Sequence, residues 1–283
     1  MAFGDNVDIT YCNYDDIDKK VKNFIDSGVE AECHITDISI DEKLAERIDA
    51  EGLNFHLLDH HPTALNLNKF DWCQVETEVA GIKTSGTELY YYWLTNNGLG
   101  YNHTYRKFAE MVRDYDTWRW ANLGEYGLNC KKFNDLFHIY GRENFINWCL
   151  NSIAEDFSPM FTEQDEFLLD MKQKEIDDYI ALKNKELIIH DLCGHTCGFV
   201  FAERFLSELG NKLCKLHPEI DFVAMIDVAN NTVSYRTIRD DIDLGKDVAK
   251  LFGGGGHPKA AGSQFDSNLK LEFIKNIFNR DEK

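Results

Sequence analysis

Apolar and polar positions follow two interleaved periods along the first sixty residues. Short apolar runs at 8–11, 31–36 and 54–58 predict strands, and the segments between them, 15–27 and 40–50, place apolar residues at helical spacing. Strands that alternate with helices predict a parallel, doubly wound sheet. Ser85, with Glu88 three residues on, is a capping-box signature for a helix through Tyr90, Tyr91, Tyr92, Trp93 and Leu94, and the expected place of that aromatic cluster is the core. A charged helix over 162–185, with Phe167, Leu168, Met171, Ile176, Tyr179 and Ile180 as its apolar stripe, predicts a link between two domains. Beyond it, 186–191, 198–201, 222–227 and 232–238 read as strands, the last two joined at Asn230-Asn231, with helices over 202–216 and 244–252. The expected architecture is α/β: a parallel-sheet domain over 1–150, a linking segment over 151–185 and a smaller mixed-sheet domain over 186–283, with a cleft between the domains.

Two motifs interrupt this pattern with chemistry. The strand predicted at 54–58 runs into Asp59-His60-His61, which delivers a carboxylate and two imidazoles at the carboxyl edge of a sheet, where open α/β folds place their sites. The last predicted helix runs into Gly253-Gly254-Gly255-Gly256-His257. Glycines in series are costly to order and contribute nothing to packing, but their bare N–H groups can line a hollow for an anion.

In this order and at this separation the two motifs resemble the DHH phosphoesterase family, across nearly the whole chain. Thr36-Asp37-Ile38-Ser39 and Tyr115-Asp116-Thr117-Trp118 are most similar to its nanoRNase-type oligoribonucleases. The resemblance implies hydrolysis of short single-stranded RNA or small nucleotides at a pair of manganese ions, with Asp37, His60 and Asp116 as metal ligands. Carboxylate plus imidazole suits manganese, and also zinc, iron or cobalt. It further implies that Asp59 orients a histidine and that His61 lies beside the scissile phosphate. Ser234, Arg236, Gly254, Gly255, Gly256 and His257 would hold the nucleotide end, Arg236 as a phosphate fork. Cyclic dinucleotides and nucleotide bisphosphates stay open as substrates.

Taken singly, the same residues admit plainer roles. Asp37 is placed to cap the helix that begins near Ile40, and Arg236 to pair with Asp240 or Asp241. Asp114 is expected to be exposed, which favours Asp116 as the ligand. Trp118, Arg119 and Trp120 are expected to meet bases and phosphate, or else to supply at least one core tryptophan. The family also carries an N-terminal strand with a His-x-Asp-x-Asp motif, which this sequence lacks; Met1-Ala2-Phe3-Gly4 reads as the last turn of the helix that should follow it. One metal position is therefore expected to be short of ligands, leaving an impaired hydrolase or a noncatalytic nucleotide- or protein-binding remnant.

Composition narrows the partners. With 49 acidic against 30 basic residues, the formal charge of −19 argues against a long basic track for duplex DNA, whereas bound divalent cations would reverse the sign locally for a short substrate. The sequence has neither an apolar stretch of membrane-spanning length nor a basic-then-apolar leader, so no membrane partner and a cytoplasmic location are expected, and a homodimer is compatible. The eight cysteines are scattered and read as reduced thiols. Cys193 and Cys197, with His195 between them, have half the spacing of a zinc site, but no second pair follows, so they read as strand or turn cysteines.

Overall fold

The computed structural model describes residues 7–99, 102–153 and 161–278, and the chain divides into two compact units, Met1–Leu169 and Asp170–Lys283. The boundary falls inside a helix. In the first unit, helix α1 (Ile17–Asp26), strand β1 (Cys33–Thr36), helix α2 (Glu42–Glu51), strand β2 (Phe55–Asp59) and strand β3 (Cys73–Val75) follow one another. The strands form the expected parallel sheet in the order β1-β2-β3, with Ile35 opposite Leu57 and Leu57 opposite Cys73. Ile17, Val21, Leu44, Ile48 and Leu57 close its core. Helix α2 is capped by Asp41, whose carboxylate accepts the Leu44 N–H at 2.7 Å, so Asp37 does not serve as that cap.

Residues 8–11 form no strand. Val7, Ile9 and Tyr11 are exposed, and among the described residues no neighbouring strand supplies a ladder, without which an apolar alternation cannot hold an extended segment in a sheet. The expected turn over Met1–Gly4 lies outside the described residues.

The remainder of the unit is a short hairpin, β4 (Glu78–Val79) and β5 (Ile82–Lys83), followed by helices α3 (Gly86–Asn96), α4 (His103–Asp116), α5 (Gly124–Tyr140) and α6 (Arg142–Ile153). Met111, Cys130, Phe133, Leu136 and Phe145 form a helical core of their own. Tyr91 is buried, while Tyr90 and Trp93 stack and cover His34, as expected of an aromatic face turned inward. Helix α7 (Glu163–Lys185) gives Leu169 to the helical core and Ile176 and Ile180 to the core of the second unit. It therefore has no single stripe, and Phe167 and Met171, predicted to be part of one, are exposed.

The second unit is a six-stranded mixed sheet. Strands β6 (Ile188–Leu192), β7 (His195–Phe201), β8 (Phe222–Asp227), β9 (Thr232–Arg236), β10 (Gly255–His257) and β11 (Ala260–Gln264) lie in the order β10-β11-β9-β8-β7-β6. Only β7 and β8 are parallel, as the crossover through helix α8 (Leu206–Leu216) requires. That helix begins four residues later than the sequence pattern predicts. A final helix, α9 (Asn268–Phe278), closes the described chain.

Cys193 and Gly194 form the two-residue turn between β6 and β7, with φ of 54° and 82°, the positive pair that a tight hairpin demands. Cys193 is exposed and Cys197 buried, so the two cysteines belong to a turn and a core.

The predicted helix at 244–252 is a π turn, Leu244–Val248, followed by a 3-10 turn, Ala249–Phe252. The glycine run does not form an open loop. Gly253 (φ 71°) ends the turn, the Gly253 and Gly254 N–H groups donate to Lys250 O and Ala249 O, and Gly255–His257 pairs with Ala260–Gly262. A Cβ on Gly254 would fall 2.0 Å from Gly262 O, and one on Gly256 would fall 2.6 Å from the Ala261 Cα. Glycine at these positions permits close backbone packing.

Candidate metal centre and catalytic pair

Asp37 leaves the end of β1 in the left-handed region, at φ 63°, which is tolerated by aspartate more readily than by most residues. Its N–H donates to Leu58 O, and its Oδ1 accepts the Gly86 N–H, at the first residue of α3, at 3.1 Å. A side chain at position 86 would strike it: a Cβ there would lie 2.5 Å from the Asp37 Cα and 2.6 Å from Oδ1. His60 follows β2 and turns its Nε2 to within 3.4 Å of Asp37 Oδ1 and 3.2 Å of Asp116 Oδ2, the latter at the end of α4. Ligand atoms of Asp37, His60 and Asp116 all lie within 4.8 Å of one another.

Partial loss of solvent around Asp37, whose side chain stays half exposed, and, next, the Asp116 carboxylate push the Asp37 carboxyl above its ordinary value. Two carboxylates and an imidazole crowded together, at a cost that a positive charge would relieve, are a donor set that fits a divalent cation of the manganese or zinc type.

Beside this cluster, Asp59 is completely buried at the end of β2. Its Oδ1 meets His61 Nδ1 at 2.7 Å and accepts the His60 N–H at 2.8 Å, while Oδ2 accepts the Ser39 hydroxyl. Burial by itself would raise the Asp59 carboxyl, but the hydrogen bonds from His61 and Ser39 outweigh it and hold it below its usual range. The hydrogen bond to Asp59 in turn lifts the His61 imidazole above its ordinary value. Tyr14 sets its ring edge-on to His61, with centroids 6.0 Å apart, and a cavity of about 300 Å³ lined by Tyr14, Ser39 and Thr63 opens alongside.

Asp114, expected at the surface, is only 2% exposed. Its two oxygens accept from Arg113 Nε at 2.9 Å, Arg113 Nη2 at 3.1 Å and Arg119 Nη1 at 2.8 Å, and two guanidinium partners are what make burial of the carboxylate tolerable. Arg119 is thereby committed to Asp114, and Trp120 packs against Tyr115 at the edge of the helical core, the plainer of its two expected roles.

In the second unit, Ser234 lies on β9 opposite Gly262, and His257 ends β10 in an exposed position. Arg236 donates to Tyr235 O at 2.9 Å and to Ser207 Oγ at 3.2 Å, and burial pulls its pKa below the ordinary value. The alternative surface pairs are not formed: Asp240 binds Lys259 and Asp241 binds Arg239, each at 2.7 Å. Sequence reasoning gave no role to Gly86, Arg113 or Asp114. The available signal was the glycine directly after the Ser85 cap, at a position where a helix has no need of one.

A buried carboxylate–imidazole pair and a cluster able to hold a cation thus lie side by side where β1 and β2 end and α4 closes over them. Over 290 aligned residues, covering 99% of this chain and 72% of the other protein, the sequence is 33% identical to oligoribonuclease NrnB of Bacillus subtilis (strain 168), and the chain belongs to the DHH family of hydrolytic nucleases and phosphodiesterases. No protein-family model matches the sequence. Similar solved structures include the pGpG-specific phosphodiesterase PggH of Vibrio cholerae, at 12% identity and TM-score 0.47 over 98% of this chain and 90% of that one. RecJ of Thermus thermophilus in complex with Mn2+ is similar at 12% identity and TM-score 0.46, over 92% and 46% of the two chains. Among the described residues no helix is long and apolar enough to cross a membrane.

Proposed function

We propose that this chain is a cytoplasmic, manganese-dependent oligoribonuclease that releases nucleotides from the 3′ end of short RNA. The convergence of Asp37, His60 and Asp116 on one point carries this reading, and the relationship to NrnB supports the substrate class. Asp37, His60 and Asp116 would hold the cation, which supplies Lewis acidity toward the phosphate when bound. Asp59 fixes the ring of His61, and His61 protonates the leaving 3′ oxygen as the P–O bond breaks and water supplies the new oxygen on phosphorus. Arg236 forks a terminal phosphate, while Ser234, Gly254, Gly255, Gly256 and His257 hold the nucleotide end. The three ligands provide for one cation, and a mechanism that stabilises both attacking and leaving oxygens uses two, so turnover by these residues alone is expected to be low.

The test is manganese binding followed by electron paramagnetic resonance, with end-labelled RNA of two to five nucleotides as substrate. A bound ion lost in His60→Ala, together with slow, manganese-dependent release of mononucleotides, is expected. Manganese binding that is equal in the wild type and His60→Ala would reject the site.

A further inference from the structure

The helical part of the first unit buries charges that the proposed chemistry does not use. Glu88 on α3 is 2% exposed, as is Asp114 on α4, and the Arg113 side chain between them is 13% exposed. Arg113 Nη1 donates to Glu88 Oε1 at 2.5 Å, while its Nε and Nη2 straddle Asp114. Glu88 is also satisfied by the Thr84 hydroxyl at 2.7 Å and the Tyr92 hydroxyl at 3.3 Å. Such networks are a poor source of stability, because an apolar replacement of the same shape is often neutral or better; what they fix is geometry.

The geometry fixed here is that of the metal ligands. Glu88 lies two residues after Gly86, whose N–H holds Asp37 Oδ1, and Asp114 lies two residues before Asp116. Arg119 grips Asp114 from the far side of Asp116, so the turn that bears this ligand is anchored before and after it. We infer that Glu88, Arg113 and Asp114, backed by the partly exposed Arg119, form a clamp between α3 and α4 that sets the separation of Asp37 and Asp116, and with it the affinity for a divalent cation. These are positioning residues. The inference rests on the reading of Asp37, His60 and Asp116 as ligands.

The experiment measures manganese affinity by titration under electron paramagnetic resonance, with thermal melts and near-ultraviolet circular dichroism as controls for folding. Glu88→Gln, nearly isosteric, and Arg113→Met are each expected to weaken binding about tenfold or more, the usual effect of removing a support behind a ligand. Arg113→Lys keeps the charge but replaces the planar fork, which reaches Glu88 through Nη1 and Asp114 through Nε and Nη2, with a single ammonium that cannot reproduce those aligned bonds, and is expected to behave like Arg113→Met. The Lys131–Asp135 pair, with side chains 13% and 11% exposed within α5, is the comparison: Lys131→Met with Asp135→Leu should leave affinity unchanged. Folded Glu88→Gln with wild-type affinity, full recovery in Arg113→Lys, or an equal loss in the α5 variant would each overturn the clamp. Absence of manganese binding by the wild type would instead overturn the ligand assignment, and the clamp with it.

Discussion

Asp59 Oδ1 lies 2.7 Å from His61 Nδ1 and also accepts the His60 N–H, so one buried carboxylate fixes the ring of the second histidine and the backbone that carries the first. The proposed proton donor and the proposed ligand are thus set by a single oxygen. Because both depend on it, substitution of Asp59 should register in metal binding as well as in acid–base behaviour.

In metal-free protein this pair makes stability depend on pH in a defined window. His61 is raised, so its contribution is present below the ordinary imidazole value, about 6.5, and fades as pH rises through the folded value. Asp59 is lowered, so its contribution is present above about 3.9 and fades as pH falls through the folded value. Thermal melts in a chelator should show the deficit of Asp59→Asn at its largest between those limits, about 2 kcal/mol, and smaller on either side. A deficit independent of pH would mean that the pair is not charged.

Gly86→Ala should loosen the proposed metal centre without altering any of its three proposed ligands. The added methyl would sit 2.6 Å from Asp37 Oδ1, so either α3 or Asp37 must move. The expected cost is about 1–3 kcal/mol, with weaker manganese binding measured on the same samples. Unchanged affinity would show that the Asp37–Gly86 contact is incidental.

The glycine run separates packing from ligand binding at neighbouring positions. Gly254→Ala should destabilise the β10–β11 hairpin, since its Cβ would meet Gly262 O at 2.0 Å, whereas a Cβ at position 255 meets nothing within 4 Å. Gly255→Ala is therefore expected to melt within a few degrees of wild type. A loss of RNA binding in that folded variant would assign Gly255 to the substrate, and unaltered binding would remove it from the proposed site.

Arg236→Ala is expected to raise the Michaelis constant for short RNA about tenfold with turnover little changed, because the proposed phosphate fork takes no part in breaking the bond and so holds ground and transition states alike. A fall in turnover at constant Michaelis constant would reject the role. Melting temperature must be read in parallel, since the Arg236 stem packs against Gly210 and its guanidinium spans Tyr235 O and Ser207 Oγ.

The sheet at β1 and β2 and the Asp59-His60-His61 turn are legible because short apolar runs between helical segments and a charged strand end are local signals. Ser85 and Glu88 announced α3 for the same reason. Asp114 was not legible: nothing near it in sequence distinguishes a solvated carboxylate from one enclosed by Arg113 and Arg119, and only the packing of α3 on α4 decides. The run at 8–11 failed in the opposite sense, since its pattern suits a strand but a strand also needs a neighbour. A run of glycines suggests free donors, yet Gly253 and Gly254 spend theirs on the preceding turn, a contact that depends on how that turn winds.

The backbone at position 37 also limits how this protein can change over generations. A left-handed conformation that must still reach the Gly86 N–H admits, beyond aspartate, little except asparagine, which has the same shape and tolerance for positive φ but no charge. Genetic drift at this residue therefore has one narrow exit that leaves the architecture whole while removing a proposed metal ligand. A lineage that takes it would keep its shape, and any surface that recognises nucleotides, after its hydrolysis had gone.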